Sequence, residues 1–366
     1  MMRLYTLAAL VLVIILVLLI APTVPSLLAT TPADPPHPVY IPFVSAPRPS
    51  TAHNQVTAVP APTASSTPTA QPTPTASPTP TAQPSATLTP VPPAPAVPAF
   101  KRIFVIMMEN KEATRIVGGK SAPYINALAQ QYGRAANFYG VAHPSLPDYL
   151  ALIGGNTFGI TSDCTGCFVN ATNLVDQLEA NGKSWKGYME SMPRPCFVGS
   201  AAPYAQKHNP FIYFDNVRND PARCNKIVPF EQFSTDMANN ALPDFVWITP
   251  NLCNDMHDCS IGTGDAWLKK WVSKILASPA WQDNGALFIT FDEGDSNAGC
   301  CTYATGGRID TLVVSPLGKP GFVSDMPYDH YSLLRTIEEA WGMPPLRKAA
   351  CDCSQPMVDF FQTGGS

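Results

Sequence analysis

Residues 100–366 predict an α/β fold whose sheet is covered on both faces, and two patterns carry that expectation. The runs RIFVIMM (102–108), DFVWITP (244–250), ALFITF (286–291) and DTLVVSP (310–316) are continuously apolar. A half-exposed strand would alternate, so these read as strands buried on both sides. Between them, helix-period stretches fall near 122–132, 145–153, 173–181, 264–278 and 330–341, which is the alternation that builds layered α/β domains. Ligands in such sheets bind beyond the carboxyl ends of the strands, so the residues just after each run are where chemistry is expected.

The chain has 366 residues, and its composition changes near residue 99. The first 99 residues hold 22 of the 40 prolines but only three charged residues, Arg3, Asp34 and Arg48. Residues 4–21 form an uncharged apolar run behind Arg3, so residues 1–29 read either as a signal peptide or as an N-terminal membrane anchor, and the chain beyond them should be exported. No clean Ala-x-Ala site is found after the run, since Leu27 stands upstream of Ala29. Residues 30–99 are rich in Pro, Thr and Ala, with the near-repeat PTASSTPTAQPTPTASPTPTAQP at 62–84. Proline fixes φ and removes donors, and few large apolar side chains are present to offset chain entropy, so a disordered stalk is expected. In polyproline II geometry it would span at most roughly 200 Å.

The remainder carries 21 Lys+Arg against 26 Asp+Glu, with no basic run. That balance argues against a nucleic-acid partner, and nothing in it calls for an obligate protein partner. All ten cysteines lie there, at 164, 167, 196, 224, 253, 259, 300, 301, 351 and 353. An even set in an exported chain predicts disulfides, with the adjacent Cys300 and Cys301 expected to bond separate partners.

The first strand is followed at once by Glu109-Asn110 and the third by Asp292-Glu293, while the second leads into a loop holding Asp255, His257 and Asp258. Two strands ending in paired oxygen donors suit a divalent cation such as Mg, Ca or Mn, and added histidines turn the balance toward Zn. A single strand-end carboxylate is more often a cap or ion-pair partner; two such pairs weaken that reading. Ser145 lies where the helix at 145–153 should begin. It reads equally as an N-cap with Asp148 three residues on, or as a nucleophile at the positive end of a helix dipole. The Gly119-Lys120-Ser121 tail lacks the earlier glycine of a phosphate-binding loop, and no G-x-S-x-G occurs. His37 and His53 fall in the stalk, and His208, in a polar irregular stretch, is expected at the surface.

Taken in order, VIMMENKEATRIVG, HPSLPDYLALIGG, NDMHD, ALFITFDEGD and DHYSLLRTIEEAWG resemble the phosphoesterase family of secreted acid phosphatases and phospholipases C. The resemblance implies an alkaline-phosphatase-like three-layer sandwich with a mostly parallel central sheet, making 100–366 a phosphoesterase catalytic domain. It also implies a divalent metal on Glu109, Asn110, Ser145, Asp292 and Glu293, with Ser145 as nucleophile and His143 and His257 facing the phosphoryl oxygens. His330, Asp255 and Asp258 are weaker candidates, and Asp295 is a supporting one. Asp148 stands where relatives carry Asn, which leaves its role open. The implied substrate is a phosphate ester, a monoester before a phospholipid or phosphoinositide; a stalked, non-catalytic surface binding protein is the alternative outside enzymes. The C/S-x-P-x-R pattern of sulfatases is not found around Ser145.

Overall fold

The computed structural model describes residues 96–362. The segments read above as export signal or anchor and, up to residue 95, as stalk lie outside the described residues. Among those described, no helix is long and apolar enough to cross a membrane.

Nine strands form one sheet: β1 (Arg102–Met108), β2 (Gly133–Tyr139), β3 (Trp185–Met189), β4 (Ile227–Pro229), β5 (Phe245–Thr249), β6 (Gly285–Phe291), β7 (Arg308–Val314), β8 (Val323–Ser324) and β9 (Tyr328–Asp329). Their order is β4-β3-β5-β1-β6-β7-β2-β8, with β9 also on β2. The five from β4 to β6 are mutually parallel, and β7 runs against both β6 and β2. The sheet is therefore mostly parallel, and the four apolar runs of the sequence are β1, β5, β6 and β7. Every residue of β5 and β6 is buried, which requires cover on both faces.

The cover comes from two helical groups. Helix α2 (Ser145–Gly154) packs with α3 (Leu174–Ala180) and α6 (His330–Ala340), and α1 (Pro123–Gln131) packs with α5 (Ile261–Ala277). A further helix, α4 (Glu231–Ala238), lies against β4. All ten residues of α2 are buried, so Leu150, Leu152 and Ile153 anchor the helix that begins at Ser145; truncating one such leucine to alanine costs about 2–5 kcal/mol.

Direction and register decide where chemistry gathers. Strands β1, β5 and β6 are parallel, and β2, two antiparallel steps from β6, runs the same way, as does β9. Their carboxyl ends share one edge of the sheet, which receives Glu109, the 251–259 loop, Asp292, the His143–Ser145 turn and His330. Met108 pairs with Phe291 in register, so Glu109 and Asp292 come next to each other.

All ten cysteines are paired: 164–167, 196–224, 253–259, 300–301 and 351–353. The expectation for Cys300 and Cys301 is corrected, since they bond each other. The other four bridges take up the other eight cysteines, leaving these two no other partner. A tight turn with positive φ at Cys301 and Thr302 (56° and 70°) brings Cys300 and Ala304 into backbone pairing around them.

Candidate active site

Glu109 leaves β1 fully buried. Its backbone N–H donates to Asp255 O at 2.9 Å, joining the first strand to the loop after β5. Its Oε1 accepts the Tyr149 hydroxyl, and its Oε2 faces Ser145 Oγ at 3.2 Å. Asn110 is next, with φ +45°, a left-handed conformation that asparagine tolerates better than most residues. Its backbone N–H donates to Asp292 Oδ1 at 2.8 Å, while Asp292 N–H donates to Met108 O at 3.0 Å.

The Asn110 side-chain amide meets Asp292 Oδ2 at 3.0 Å, Glu109 Oε2 at 3.1 Å and Glu293 Oε1 at 3.2 Å. With its nitrogen inward its two N–H groups are shared among the three. With its oxygen inward it joins them as a further acceptor, an arrangement that a cation would hold together. Ser145 Oγ completes the group, 3.5 Å from Glu293 Oε1. The five residues that the resemblance makes metal ligands thus form one connected cluster. Burial, then the charge of Asp255, raises the Glu109 carboxyl well above its ordinary range, and burial with the neighbouring Glu109 does the same to Asp292. Glu293 is pushed up to about 7 by burial and Asp292, with His143 opposing. Crowded, desolvated carboxyls of this kind fit a site made for positive charge.

Ser145 is the first residue of α2 and not its cap. Pro144 holds the N-cap position and offers no side-chain cap; the free Leu146 N–H instead donates to Asp163 Oδ1 at 3.0 Å. Asp148 accepts from the backbone N–H groups of Val141 and Ala142 and approaches His330 Nδ1 at 3.2 Å. It fixes the turn that delivers Ser145.

His208, expected at the surface, is instead buried, 2% exposed. The short 3-10 turn Gln206–His208 packs on α2, and the imidazole stacks on Tyr149. Its Nε2 lies 3.2 Å from Glu109 Oε2 and its Nδ1 lies 3.3 Å from Asp255 Oδ2. Neither contact has hydrogen-bond geometry, so His208 Nε2 and Asp255 Oδ2 are without hydrogen-bond partners. One ligand atom each from Glu109, His208 and His257 lie within 4.8 Å of one another. Orphaned buried donors beside an oxygen cluster fit a divalent cation.

His257 takes its place from a loop closed by Cys253–Cys259. Its backbone N–H donates to Asp255 Oδ1 at 2.7 Å, and Asp258 Oδ1 is 2.7 Å from its Nδ1. A proton on Nδ1 shared with Asp258 leaves the Nε2 lone pair facing Lys207 Nζ at 3.4 Å. His143 Nδ1 contacts Glu293, and its Nε2 contacts Ser296 O at 3.0 Å, so both ring nitrogens are engaged by protein. Burial lowers its pKa, but the bonds to Ser296 and Glu293 outweigh this and raise it. His330 is fully buried with Nε2 on Phe291 O at 2.9 Å, and burial lowers its pKa. Asp258 serves His257, and Asp295 is exposed, paired with Arg115 at 3.0 Å. His208 and Lys207 are the site residues that sequence reasoning misses. Their polar surroundings in the chain give no periodic signal.

The sequence model of the phosphoesterase family matches residues 119–344. A probable acid phosphatase of Kluyveromyces lactis is 35% identical over 260 residues, 68% of this chain and 60% of that protein. A phosphatidylinositol-3-phosphatase of Mycobacterium tuberculosis is 36% identical over 255 residues, 69% of this chain and 80% of that protein. The chain thus spans about 60% of the length of the Kluyveromyces relative. Among solved structures, the lipoteichoic acid synthase LtaP of Listeria monocytogenes superposes with a TM-score of 0.51 at 11% identity, covering 74% of this chain and 79% of that one. At that identity the likeness concerns the fold.

Proposed function

This chain belongs to the phosphoesterase family, and from that premise we propose that it is an exported, metal-dependent phosphatase that hydrolyses phosphate monoesters through a phosphoserine. The observation that carries the reading is the Ser145 hydroxyl. It is spent on no helix cap and lies 3.2 Å from Glu109 and 3.5 Å from Glu293 at the start of α2. The identity to acid phosphatases supports a monoester as substrate.

A divalent cation held by Glu109, Asn110, Ser145, Asp292 and Glu293 would neutralise phosphoryl charge and lower the pKa of the serine hydroxyl. The oxygen donors favour Mg, Ca or Mn, and the nearness of the buried His208, which the acid–base steps do not use, favours Zn.

In the proposed sequence, Ser145 Oγ attacks phosphorus in line while its proton passes to an adjoining carboxylate. The Oγ–P bond forms as the bond from phosphorus to the leaving oxygen breaks, and protonated His257 gives that oxygen its proton. Water then attacks the phosphoserine, His257 takes the water proton, and Ser145 leaves and is reprotonated. The N-terminal amides of α2 add partial positive charge beside the phosphoryl group. His143 acts through Glu293, holding its orientation.

The experiment is hydrolysis of an aryl phosphate by the folded domain, with and without chelator and for Ser145→Ala. Wild-type activity lost in the variant and on chelation is the expected result, with a single added phosphate on rapidly quenched wild-type protein. Equal turnover by Ser145→Ala rejects the nucleophile. The 36% identity to a phosphatidylinositol-3-phosphatase over 80% of its length favours a second reading, in which the monoester sits on a phosphoinositide. Release of phosphate from short-chain phosphoinositides at rates above the aryl ester would select it.

A further inference from the structure

Carboxylates dominate the site: Glu109 and Glu293 reach Ser145 Oγ, and Asp292 joins them through Asn110. A phosphate monoester arrives with close to two negative charges, so fixed positive charge is needed where its outer oxygens rest. Lys111 does not meet the need, because its ammonium is turned back onto Asn110 O at 3.0 Å.

Lys207 is placed differently. Its Nζ donates to Asp163 Oδ2 at 2.8 Å and lies 3.4 Å from His257 Nε2. The other oxygen of the same carboxylate, Asp163 Oδ1, accepts the backbone N–H of Leu146 at 3.0 Å. One aspartate therefore ties the lysine to the helix start that carries the nucleophile. The Cys164–Cys167 bridge begins at the next residue and fixes the loop that supplies it. An ammonium has three donors; Asp163 takes one and His257 Nε2 takes a second only while it is unprotonated, so at least one donor is free in either state of the histidine. The side chain keeps 21% of its surface, so it is not sealed in the interior.

We propose that the third donor of Lys207 binds a non-bridging oxygen of the phosphoryl group as it transfers to Ser145, and that this contact makes the site prefer dianionic monoesters over monoanionic diesters. Asp163 is the positioning residue that aims it. The inference rests on the phosphatase reading above and extends it to substrate class.

The test compares wild type, Lys207→Met and Asp163→Asn on an aryl phosphate and on its methyl diester, together with inhibition by vanadate. Metal content and circular dichroism establish that each variant is folded and loaded. Lys207→Met is expected to lose about 100-fold in kcat/KM on the monoester and at least tenfold less than that on the diester, with vanadate inhibition weakened in step. Asp163→Asn should shift the monoester-to-diester ratio in the same direction, which a merely structural defect would not do. Equal losses on both esters, or an unchanged ratio, overturn the proposal. If wild type hydrolyses neither ester, it is the phosphatase reading that fails. Vanadate binding then still decides the matter for Lys207, because equal affinity in wild type and Lys207→Met rejects the contact.

Discussion

The Tyr149 ring lies parallel to that of His208, 5.3 Å between centroids and 5° between planes, while its hydroxyl donates to the buried Glu109 carboxylate. One side chain of α2 thereby aligns two groups from distant parts of the chain. Tyr149→Phe keeps the stack and removes the donor, leaving Glu109 Oε1 without it in a buried setting. An orphaned buried acceptor costs about 1–3 kcal/mol, and loss of a partner that orients a metal ligand typically weakens metal binding about 10–100-fold. Titrating chelated protein with metal, followed by activity and by metal analysis, should show that weakening with little change in the saturated rate. Unchanged metal affinity would remove Tyr149 from the support of the site.

The Cys253–Cys259 bridge closes a short loop whose interior carries Asp255 and His257. In the chain-entropy account a loop of this size contributes about 2 kcal/mol, but its larger effect should be on geometry. Asp255 orders His257 through its backbone N–H and faces His208. Replacing both cysteines by serine should lower the melting temperature by a few degrees and reduce kcat/KM by about tenfold or more, since a small misplacement of positioned groups is expensive in rate. Activity measured well below the melting transition separates the two effects. Full activity there would show that the loop holds its shape without the bridge.

How far the sequence can be read depends on whether a feature is local. The four continuously apolar strands and the helix at Ser145 declare themselves through period and position, and the oxygen-donor pairs after β1 and β6 are placed by strand direction alone. Strand β2, with alternating and partly exposed residues, and the short β3 lack such a run. His208 becomes a site residue only because the chain returns after Ser145 and lays a 3-10 turn on α2, placing it against Glu109, 99 positions away in the sequence. Nothing in the pattern around it reports that contact. The Cys300–Cys301 pairing escapes for the opposite reason, since it depends on a turn with two residues at positive φ that no glycine announces.

Helix α2 ends at Gly155, whose φ of +65° and N–H bond to Ala151 O form a left-handed C-cap. A Cβ there would lie 2.4 Å from Leu346 O, whereas a Cβ at Gly159, also at positive φ (+74°), would meet nothing within 4 Å. Gly159→Ala should therefore cost about 1 kcal/mol of backbone strain, and Gly155→Ala clearly more, because the 346–348 segment must move. Urea denaturation of the two variants measures the difference. Similar losses would mean that the Leu346 segment yields freely and does not clamp the end of α2.

Glu338 on α6 is buried without a cation in contact, and burial pushes its pKa up to about 8. The Leu346 N–H, donating to Oε1 at 2.9 Å, Gln177 and the charge of Arg335 oppose the shift, and neighbouring Glu339 adds to it. Glu338 Oε2 and Gln177 Oε1 otherwise have no hydrogen-bond partner, so a protonated acid suits the pair. The folded state then binds a proton that the unfolded chain releases near pH 4.3. Stability from this group is complete below that pH and is lost as pH rises through about 8, with a slope of at most about 1.4 kcal/mol per pH unit. Asp310 and Asp329, both raised to about 6 by burial, act in the same direction over a narrower range. Glu338→Gln keeps the shape and removes the titration. Between pH 6 and 8 its unfolding free energy should fall less steeply than that of wild type, and the two curves should converge or cross toward the alkaline end. Parallel curves across that interval would show that Glu338 is already ionised in the folded protein at neutral pH.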